Sequence, residues 1–333
     1  MHTLNSSSAG ASSGTGSSLG GVPALRPGRV IEGISAVLLP FRADAPDWST
    51  FTELLDRTWR AGLTPAVNMD TGYVNLLTTA ERARVLAIAR EVSASRRFVA
   101  GAFIEGEPGI PRQLYGRVID EIRRAGGTPI LFQCSPLASS TEDEVLAVYA
   151  DLAAVGDPLL AFELGTMFAP FGRIYSTGFL ERLMELDAFV GVKHSSLDRR
   201  LEWDRIASRD RLRPDFRIYT GNDLAIDMAF YGSDYLLGLS AFAVEAFAAR
   251  DRCWAAQDPR AFAINDLLQY LGQIAFRAPV PAYKHSAAQF LHLRGIVPTS
   301  DPHPRSLRRP DADLPLLADI HTRLEAELQE VGA

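Results

Sequence analysis

Residues Thr128–Glu163 read TPILFQCSPLASSTEDEVLAVYADLAAVGDPLLAFE and show most clearly the pattern that predicts the fold. Two short apolar runs, Thr128–Gln133 and Pro158–Glu163, flank a stretch with helical character, Ser140–Ala154. That stretch opens with a serine and a threonine followed by three acidic residues, which suit the positive end of a helix. The apolar runs do not alternate strictly, which is typical of strands buried on both faces. The segment therefore predicts one strand–helix–strand unit of a parallel sheet.

The same alternation extends in both directions along the chain and gives eight apolar runs. They are Val30–Pro40, Leu63–Met69, Phe98–Ile104, Thr128–Gln133, Pro158–Glu163, Ala188–Lys193, Phe216–Thr220 and Asp234–Ser240. A further helix is predicted at Thr78–Val92, which opens with a Thr-x-x-Glu capping signal. Eight strands alternating with helices favour the α/β class and a (β/α)₈ TIM barrel. A doubly wound open sheet is the alternative, although no GxGxxG follows the first run.

Three regions are expected along the chain. Residues 1–27 form a tail, in which positions 5–21 contain seven serines and five glycines. This composition predicts disorder rather than a signal peptide. Residues 28–256 form the barrel, and residues 257–333 form a C-terminal helical extension. Helical patterns continue past the eighth strand at Phe242–Ala255, Pro259–Phe276 and Leu314–Val331.

The composition argues against several classes of protein. The net charge of −6 disfavours a nucleic-acid partner. No apolar run approaches the roughly 18 residues of a membrane span. The two cysteines, Cys134 and Cys253, form neither a CxxC motif nor a metal-ligand spacing. We therefore expect a soluble, cytoplasmic protein without disulfides, without a bound metal and without a membrane partner.

Lysine is almost absent from the chain. Of the 34 basic residues 32 are arginine, and the two lysines are Lys193 and Lys284. Arginine stays protonated at any working pH, whereas a buried lysine can serve as an amine nucleophile. Chance retention is the alternative explanation for each lysine.

Polar residues close most of the apolar runs. Because the active site of a (β/α)₈ barrel forms at the carboxyl ends of its strands, these residues are candidates for a catalytic mouth. They are Asp70, Thr71, Glu105, Gln133, Glu163, Lys193, His194, Asn222 and Asp223. Strand ends are commonly polar in any barrel, so the set as a whole is stronger evidence for an active site than any one of its residues.

The segment Gly191–Ser196, GVKHSS, resembles the dihydrodipicolinate synthase / N-acetylneuraminate lyase family, whose sixth strand ends in G-[IV]-K-x-[AS]-S. Gly221–Asp223 resembles the family's G-N-D after the seventh strand, and Pro279–Lys284 resembles its P-x-P-x-K stretch. The resemblance extends over about residues 28–330 and places both lysines on lysine positions of the family. It implies a barrel with a helical extension, assembled as a homo-oligomer, either a tetramer or a dimer.

The chemistry that this resemblance implies is that of class I aldolases and lyases. Lys193 is expected to condense with a small-molecule carbonyl substrate, and the iminium then acts as an electron sink without a further cofactor. Desolvation at the barrel mouth lowers the pKa of such an amine towards working pH. Lys284 falls on a position that is structural in the family.

The second strand departs from the family's G-T-T-G-E segment, which holds the carboxylate of a 2-oxo acid. This chain has Met69–Tyr73, MDTGY, and Asp70 puts a negative charge where the substrate's own carboxylate is held. Like charges about 4 Å apart repel by about 4 kcal/mol at an effective dielectric near 20, which weakens pyruvate binding roughly a thousandfold. Neutralisation of Asp70 by His194 or Arg173 is the alternative.

The fifth strand departs at the family's proton-relaying tyrosine, because the alignment puts Phe162 there. Glu163 is expected to act as the replacement acid/base, and Tyr73 is the second candidate. The segment after this strand is longer than in the family and ends in Pro-Phe-Gly-Arg, which resembles P-G-R. Arg173 is therefore a candidate substrate contact, or else a solvated loop charge.

Asp70, Glu105 and Glu163 make the expected mouth acidic and rich in hydrogen-bond acceptors, which favours a polyhydroxylated substrate over an anion. The favoured function is a Schiff-base lyase, aldolase or dehydratase acting on an oxo-sugar or polyol ketone. One alternative is a 2-oxo-acid aldolase or synthase of the dihydrodipicolinate synthase kind. Another is a non-catalytic ligand-binding relative, which the missing tyrosine allows and the retained Lys193 argues against.

Overall fold

Eight parallel strands close into a barrel in the computed structural model of the chain, which describes residues 22–156 and 158–332. In chain order they are β1 (Gly33–Ala36), β2 (Thr64–Val67), β3 (Val99–Ala102), β4 (Thr128–Leu131), β5 (Leu159–Leu164), β6 (Phe189–Ser195), β7 (Arg217–Thr220) and β8 (Asp234–Leu237). Each strand pairs with its neighbour in sequence, and β1 pairs with both β2 and β8. The predicted closed barrel is thus confirmed, and each strand overlaps the apolar run that predicted it.

The helices, which include single-turn segments, alternate with these strands and continue after the eighth. They are α1 (Trp48–Arg60), α2 (Thr79–Ser93), α3 (Pro111–Arg124), α4 (Ser135–Ala138), α5 (Glu142–Ala153), α6 (Thr177–Met184), α7 (Arg199–Leu212), α8 (Met228–Tyr231), α9 (Val244–Ala255), α10 (Arg260–Ala275), α11 (Tyr283–Leu293) and α12 (Leu314–Glu330). The predicted capping box of α2 is present, with Thr78 as N-cap and Glu81 as its partner. Within the described ranges, no helix combines the length and the apolarity needed to cross a membrane.

Alternate residues of each strand face opposite sides of the barrel wall. On β5, Leu160, Phe162 and Leu164 belong to the cluster that fills the barrel interior. Ala161, between them, belongs to the larger cluster that packs the strands against the surrounding helices. This alternation determines which of the polar residues at the strand ends reach the barrel mouth.

Segments on either side of the barrel contact it. Residues 1–21 of the predicted tail lie outside the described residues, and in the described part, residues 22–27, Arg26 contacts the helices of the barrel. The backbone NH of Arg26 donates to the carbonyl of Phe230 at 2.8 Å, and its guanidinium pairs with Asp210. At the other end a short 3₁₀ turn, Val280–Ala282, leads into α11. That turn brings Tyr283 and Lys284 to the barrel mouth.

Candidate active site

Lys193 lies near the carboxyl end of β6, and its side chain enters the barrel mouth. It is paired in register with Phe162 of β5, and its Nζ lies 4.4 Å from the centroid of that ring. Gly221, directly after β7, leaves the space that the lysine occupies. A Cβ at Gly221 would lie 2.6 Å from Lys193 Cε and 2.1 Å from Ser195 Oγ, so the close approach requires glycine.

The environment of Lys193 favours its neutral form. Burial lowers the pKa of the amine from its ordinary value to about 8, although the carboxylates of Asp223 and Asp70 act in the opposite direction. A lysine with such a pKa is unprotonated in an appreciable fraction of molecules near neutral pH. The amine is therefore available as a nucleophile.

Asp223 is a second titratable group in this pocket. Burial raises the pKa of its carboxyl group to about 7, against the lowering effects of a backbone hydrogen bond and of Lys193. The backbone NH of Leu239 donates to Asp223 Oδ1 at 2.7 Å and fixes its orientation. An amine and a carboxyl group that titrate so close together can exchange protons with a substrate near neutral pH.

Asp70 is neutralised by a residue that the sequence interpretation did not pair with it. Lys284 Nζ lies 2.9 Å from Asp70 Oδ1, and the hydroxyl of Tyr283 donates to Asp70 Oδ2 at 2.9 Å. The expected alternatives, His194 and Arg173, make contacts elsewhere. The repulsion argued from an unpaired Asp70 is consequently overstated, since its charge is compensated from α11.

Tyr283 is a pocket residue that the sequence reasoning missed. Its hydroxyl lies 2.9 Å from Thr71 Oγ1 as well as from Asp70, and its ring stacks on Phe276 with centroids 4.2 Å apart. Burial and the neighbouring Asp70 raise the pKa of the phenol well above its ordinary value. The signal that could have found it is its position next to Lys284 in the Pro279–Lys284 segment.

These side chains line one narrow pocket. Its polar side is formed by Asp70, Thr71, Lys193, Ser195, Asp223 and Tyr283, and Phe162, Leu164 and Phe168 form part of its apolar side. Of the sequence-predicted residues, four therefore meet here: Asp70, Thr71, Lys193 and Asp223. Glu105 lies farther out, in a neighbouring cleft, where Ser135 donates to it.

A separate and larger cleft lies away from the carboxyl ends of the strands. Its charged side chains pair with one another: Glu245 with Arg57 and Arg294, and Glu325 with Arg294. We place the candidate active site at Lys193, where the perturbed titratable groups converge.

A family model described as "Protein of unknown function (DUF993)" matches residues 28–299 of the sequence. The chain belongs to this family. No curated protein gives a significant sequence match.

Solved structures similar to this DUF993 protein share its barrel but little of its sequence. YagE, a prophage protein of the dihydrodipicolinic acid synthase family from E. coli K12, has a TM-score of 0.77 and 15% identity, over 89% of the DUF993 chain and 98% of YagE. The dihydrodipicolinate synthase of Thermotoga maritima has a TM-score of 0.72 and 15% identity, over 91% and 99% of the two chains. KD(P)GA from T. tenax has a TM-score of 0.69 and 16% identity, over 90% and 100%. At these identities the similarity establishes the fold alone.

Glu163 of the DUF993 protein faces away from the lysine, towards α7. Its carboxylate accepts two hydrogen bonds of 2.9 Å from Arg205 and lies 3.1 Å from His194 Nδ1. Burial alone would raise its pKa, but the contacts with Arg205 and His194 lower the pKa to about 2. A carboxylate that stays ionised behind the barrel wall cannot relay protons to a substrate at Lys193. The expectation that Glu163 replaces the family tyrosine is corrected accordingly.

The remaining predicted site residues also lie outside the pocket lining of the DUF993 protein. His194 is buried behind the strand, where its Nε2 contacts Ser196 Oγ at 2.6 Å. Asn222 accepts a hydrogen bond from the backbone NH of Leu224 and thereby shapes its own turn. Tyr73 is buried against Phe41 and His303, and burial raises the pKa of its phenol. Neither His194 nor Tyr73 is placed to contact a substrate bound at Lys193.

Gln133 and Arg173 hold a loop rather than face the lysine. The side chain of Gln133 accepts from the backbone NH of Arg173 at 2.8 Å and donates to its carbonyl at 2.7 Å. The Arg173 guanidinium donates to the carbonyl of Ser140 at 2.7 Å and lies over the ring of Tyr175. The predicted substrate contact of Arg173 is thus replaced by a structural one, which fixes the segment between β5 and α6.

Proposed function

We propose that this protein is a class I aldolase-type lyase in which Lys193 forms a Schiff base with a carbonyl substrate. The observation that carries the proposal is the position of this amine at the carboxyl end of β6, in a pocket that it shares with Asp223 and Tyr283. Burial there lowers its pKa to about 8. Only the neutral amine attacks a carbonyl carbon, and desolvation supplies that form. The retention of lysine here, in a chain with 32 arginines, supports the same conclusion.

Asp223 is suited to the proton transfers that accompany iminium formation. Attack of Lys193 on the carbonyl carbon gives a carbinolamine, and its hydroxyl leaves as water once it receives a proton. A carboxyl group whose pKa is raised to about 7 can donate that proton and later take one back. The iminium then draws the electron pair of an adjacent C–C or C–H bond, which allows cleavage, condensation or dehydration.

Tyr283 supplies a second proton path on the α11 side of the pocket. Its raised pKa means that the phenol keeps its proton at neutral pH, and Asp70 accepts the hydrogen bond from it. A substrate oxygen that replaces Asp70 as the acceptor of this hydrogen bond could receive the proton. We assign to Tyr283 the relay that sequence reasoning gave to Glu163 or Tyr73.

The lining of the pocket favours a neutral, oxygenated carbonyl compound such as an oxo-sugar or polyol ketone. Among the described residues that line it, the polar groups are carboxylates, hydroxyls and the Lys193 amine, without an arginine to bind a substrate carboxylate. A 2-oxo acid is the second candidate. It is supported by the pyruvate complex of YagE and by the pairing of Asp70 with Lys284, which offsets the negative charge.

Turnover of a carbonyl panel tests this function. The panel contains keto-sugars, polyol ketones and pyruvate adducts, and each is assayed with the parent protein and with Lys193→Arg. We expect at least one substrate to be turned over by the parent, with a loss of 10³-fold or more, roughly, in the variant. Full activity of Lys193→Arg on such a substrate would exclude the Schiff-base mechanism. Binding without turnover across the panel would favour the non-catalytic alternative.

A further inference from the structure

A second cleft adjoins the lysine pocket. It lies at the carboxyl ends of β3, β4 and β5. Asp70, Leu164 and Phe168 line both spaces, so the two are adjacent. The remaining atoms of a substrate whose carbonyl carbon lies at Lys193 would therefore lie next to this cleft.

Aromatic rings form a continuous wall from the cleft to the lysine. Phe103 and Phe132 pack edge to face with centroids 5.5 Å apart, and Phe132 and Phe162 do so at 5.0 Å. Phe162 in turn lies against Lys193 Nζ. Phe162, which occupies the position of the family's tyrosine, thus forms the inner end of an apolar surface.

The loop between β5 and α6 adds two further rings to the cleft. Phe168 and Phe171 are half-buried and line it. The loop is packed so tightly at Gly172 that a Cβ there would lie 2.2 Å from the carbonyl oxygen of Leu164. Next to Gly172, Arg173 is held by Gln133 and by the carbonyl of Ser140. The two rings are therefore presented on a fixed segment.

The ionised side chains of the cleft already have partners. Arg82 pairs with Glu107 at 3.0 Å, and Asp70 pairs with Lys284 at 2.9 Å. Glu105 accepts hydrogen bonds from the backbone NH and the hydroxyl of Ser135 at 2.7 and 2.8 Å. Because these charges are satisfied within the protein, the surface left for a ligand is mainly aromatic and aliphatic.

We infer, on the basis of the proposed function, that the substrate of Lys193 is amphipathic. Its oxygenated carbonyl end occupies the polar lysine pocket, and an aromatic or other flat apolar group lies in the cleft against Phe103, Phe132, Phe168 and Phe171. Aromatic rings favour edge-to-face and offset contacts with such a wall, and burial of apolar surface adds to the affinity. A substrate that is hydroxylated along its whole length would leave this wall without a partner.

Three hydroxyketone probes with the same reactive end test the inference: hydroxyacetone, erythrulose with a polar tail, and 1-hydroxy-4-phenylbutan-2-one with a phenyl tail. Each is titrated against the protein with cyanoborohydride present, which reduces the iminium but leaves the free ketone intact, and the adduct on Lys193 is measured by intact mass and peptide mapping. We expect the phenyl probe to half-saturate at a concentration about tenfold or more below that of erythrulose. Phe171→Ala should reduce this preference about threefold or more. Phe262→Ala, which removes a phenylalanine of α10 that is 45% exposed, should leave it unchanged.

Equal or weaker trapping of the phenyl probe in the parent protein would overturn the inference, as would a preference that Phe171→Ala leaves intact. Failure of the Schiff-base function gives a different result, namely that none of the three probes is trapped. In that case the apolar cleft is tested separately, by measuring the binding of 1-hydroxy-4-phenylbutan-2-one by calorimetry. Binding that Phe171→Ala weakens supports the apolar cleft, and absence of binding overturns it.

Discussion

Lys284 Nζ donates a 2.9 Å hydrogen bond to Asp70 Oδ1, so the second of the two lysines neutralises the carboxylate that stands beside the first. The two partners are 214 residues apart in the chain. The side chain of Lys284 is 4% exposed and that of Asp70 is 33% exposed. The pair therefore ties the C-terminal extension to the barrel mouth and determines the charge of the pocket.

Lys284→Met should lower the free energy of unfolding by about 2 kcal/mol, because it leaves Asp70 without its cation. The partial exposure of Asp70 keeps the loss below that for a fully buried pair. Urea unfolding measures the change, and Asp70→Asn in the same chain should recover much of it. The matched control is Arg323→Met, which breaks an exposed 3.2 Å pair with Asp319 and should cost less than about 0.5 kcal/mol. A loss no larger than that of the control would contradict the role of the pair.

Tyr283→Phe removes the hydroxyl between Asp70 and Thr71 while keeping the ring that stacks on Phe276. If the phenol relays protons, kcat on a substrate found in the panel should fall by about 10²-fold, with a smaller change in KM. Tyr73→Phe is the control, because Tyr73 lies outside the pocket lining, and its effect should stay below about threefold. Comparable losses of kcat in the two variants would show that Tyr283 is not the proton relay.

The pH dependence of acylation by acetic anhydride reports the titration of Lys193, since only the neutral amine reacts. Peptide mapping should give a midpoint near the pKa of about 8. In Asp223→Asn the midpoint should move to lower pH, because the carboxylate whose attraction raises the pKa of this lysine is gone. A midpoint at or above that of the parent would show that the two groups are not coupled.

Glu163→Gln should affect stability rather than chemistry. The carboxyl pKa is about 2 in the folded protein against an ordinary value of 4.5. At pH values above 4.5 the ionised carboxylate therefore stabilises the fold by about 3 kcal/mol. That contribution is lost as the pH falls from 4.5 through about 2. Urea unfolding should therefore show a large loss for Glu163→Gln at pH 7 and a smaller one near pH 3. The pH profile of turnover should keep its shape in Glu163→Gln. The disappearance of one limb of that profile would show that Glu163 takes part in proton transfer.

The barrel could be predicted because each strand lies on a separate apolar run and two of the helices between strands have a start signal of their own. Thr78 with Glu81 is such a signal, and both of its hydrogen bonds are present. Local sequence determines these features, so no knowledge of distant contacts was needed. The same information does not specify how far along each apolar run the ladder of backbone hydrogen bonds extends.

The misplaced site residues follow from strand alternation and from long-range contacts. If Lys193 faces inward, the two-residue period of a strand turns His194 outward, and the register then turns Glu163 outward as well. The outward orientation of His194 follows from the sequence alone, whereas that of Glu163 also depends on the register between β5 and β6. Tyr283 is a different case, because its place in the pocket depends on how α11 packs across the barrel mouth. Such packing is a property of the folded chain and leaves no local pattern.

Lysine is so scarce in this chain that Schiff-base formation by Lys193 can be tested directly. Borohydride reduces an iminium to a stable secondary amine, so substrate and reductant together should add one substrate-derived mass. Only Lys193, Lys284 and the α-amino group can carry it, and peptide mapping separates the three. We predict that the mass lies on Lys193 and is absent from Lys193→Arg, which keeps the charge but cannot form an iminium. Trapping on Lys284 instead, or undiminished trapping in Lys193→Arg, would contradict the account.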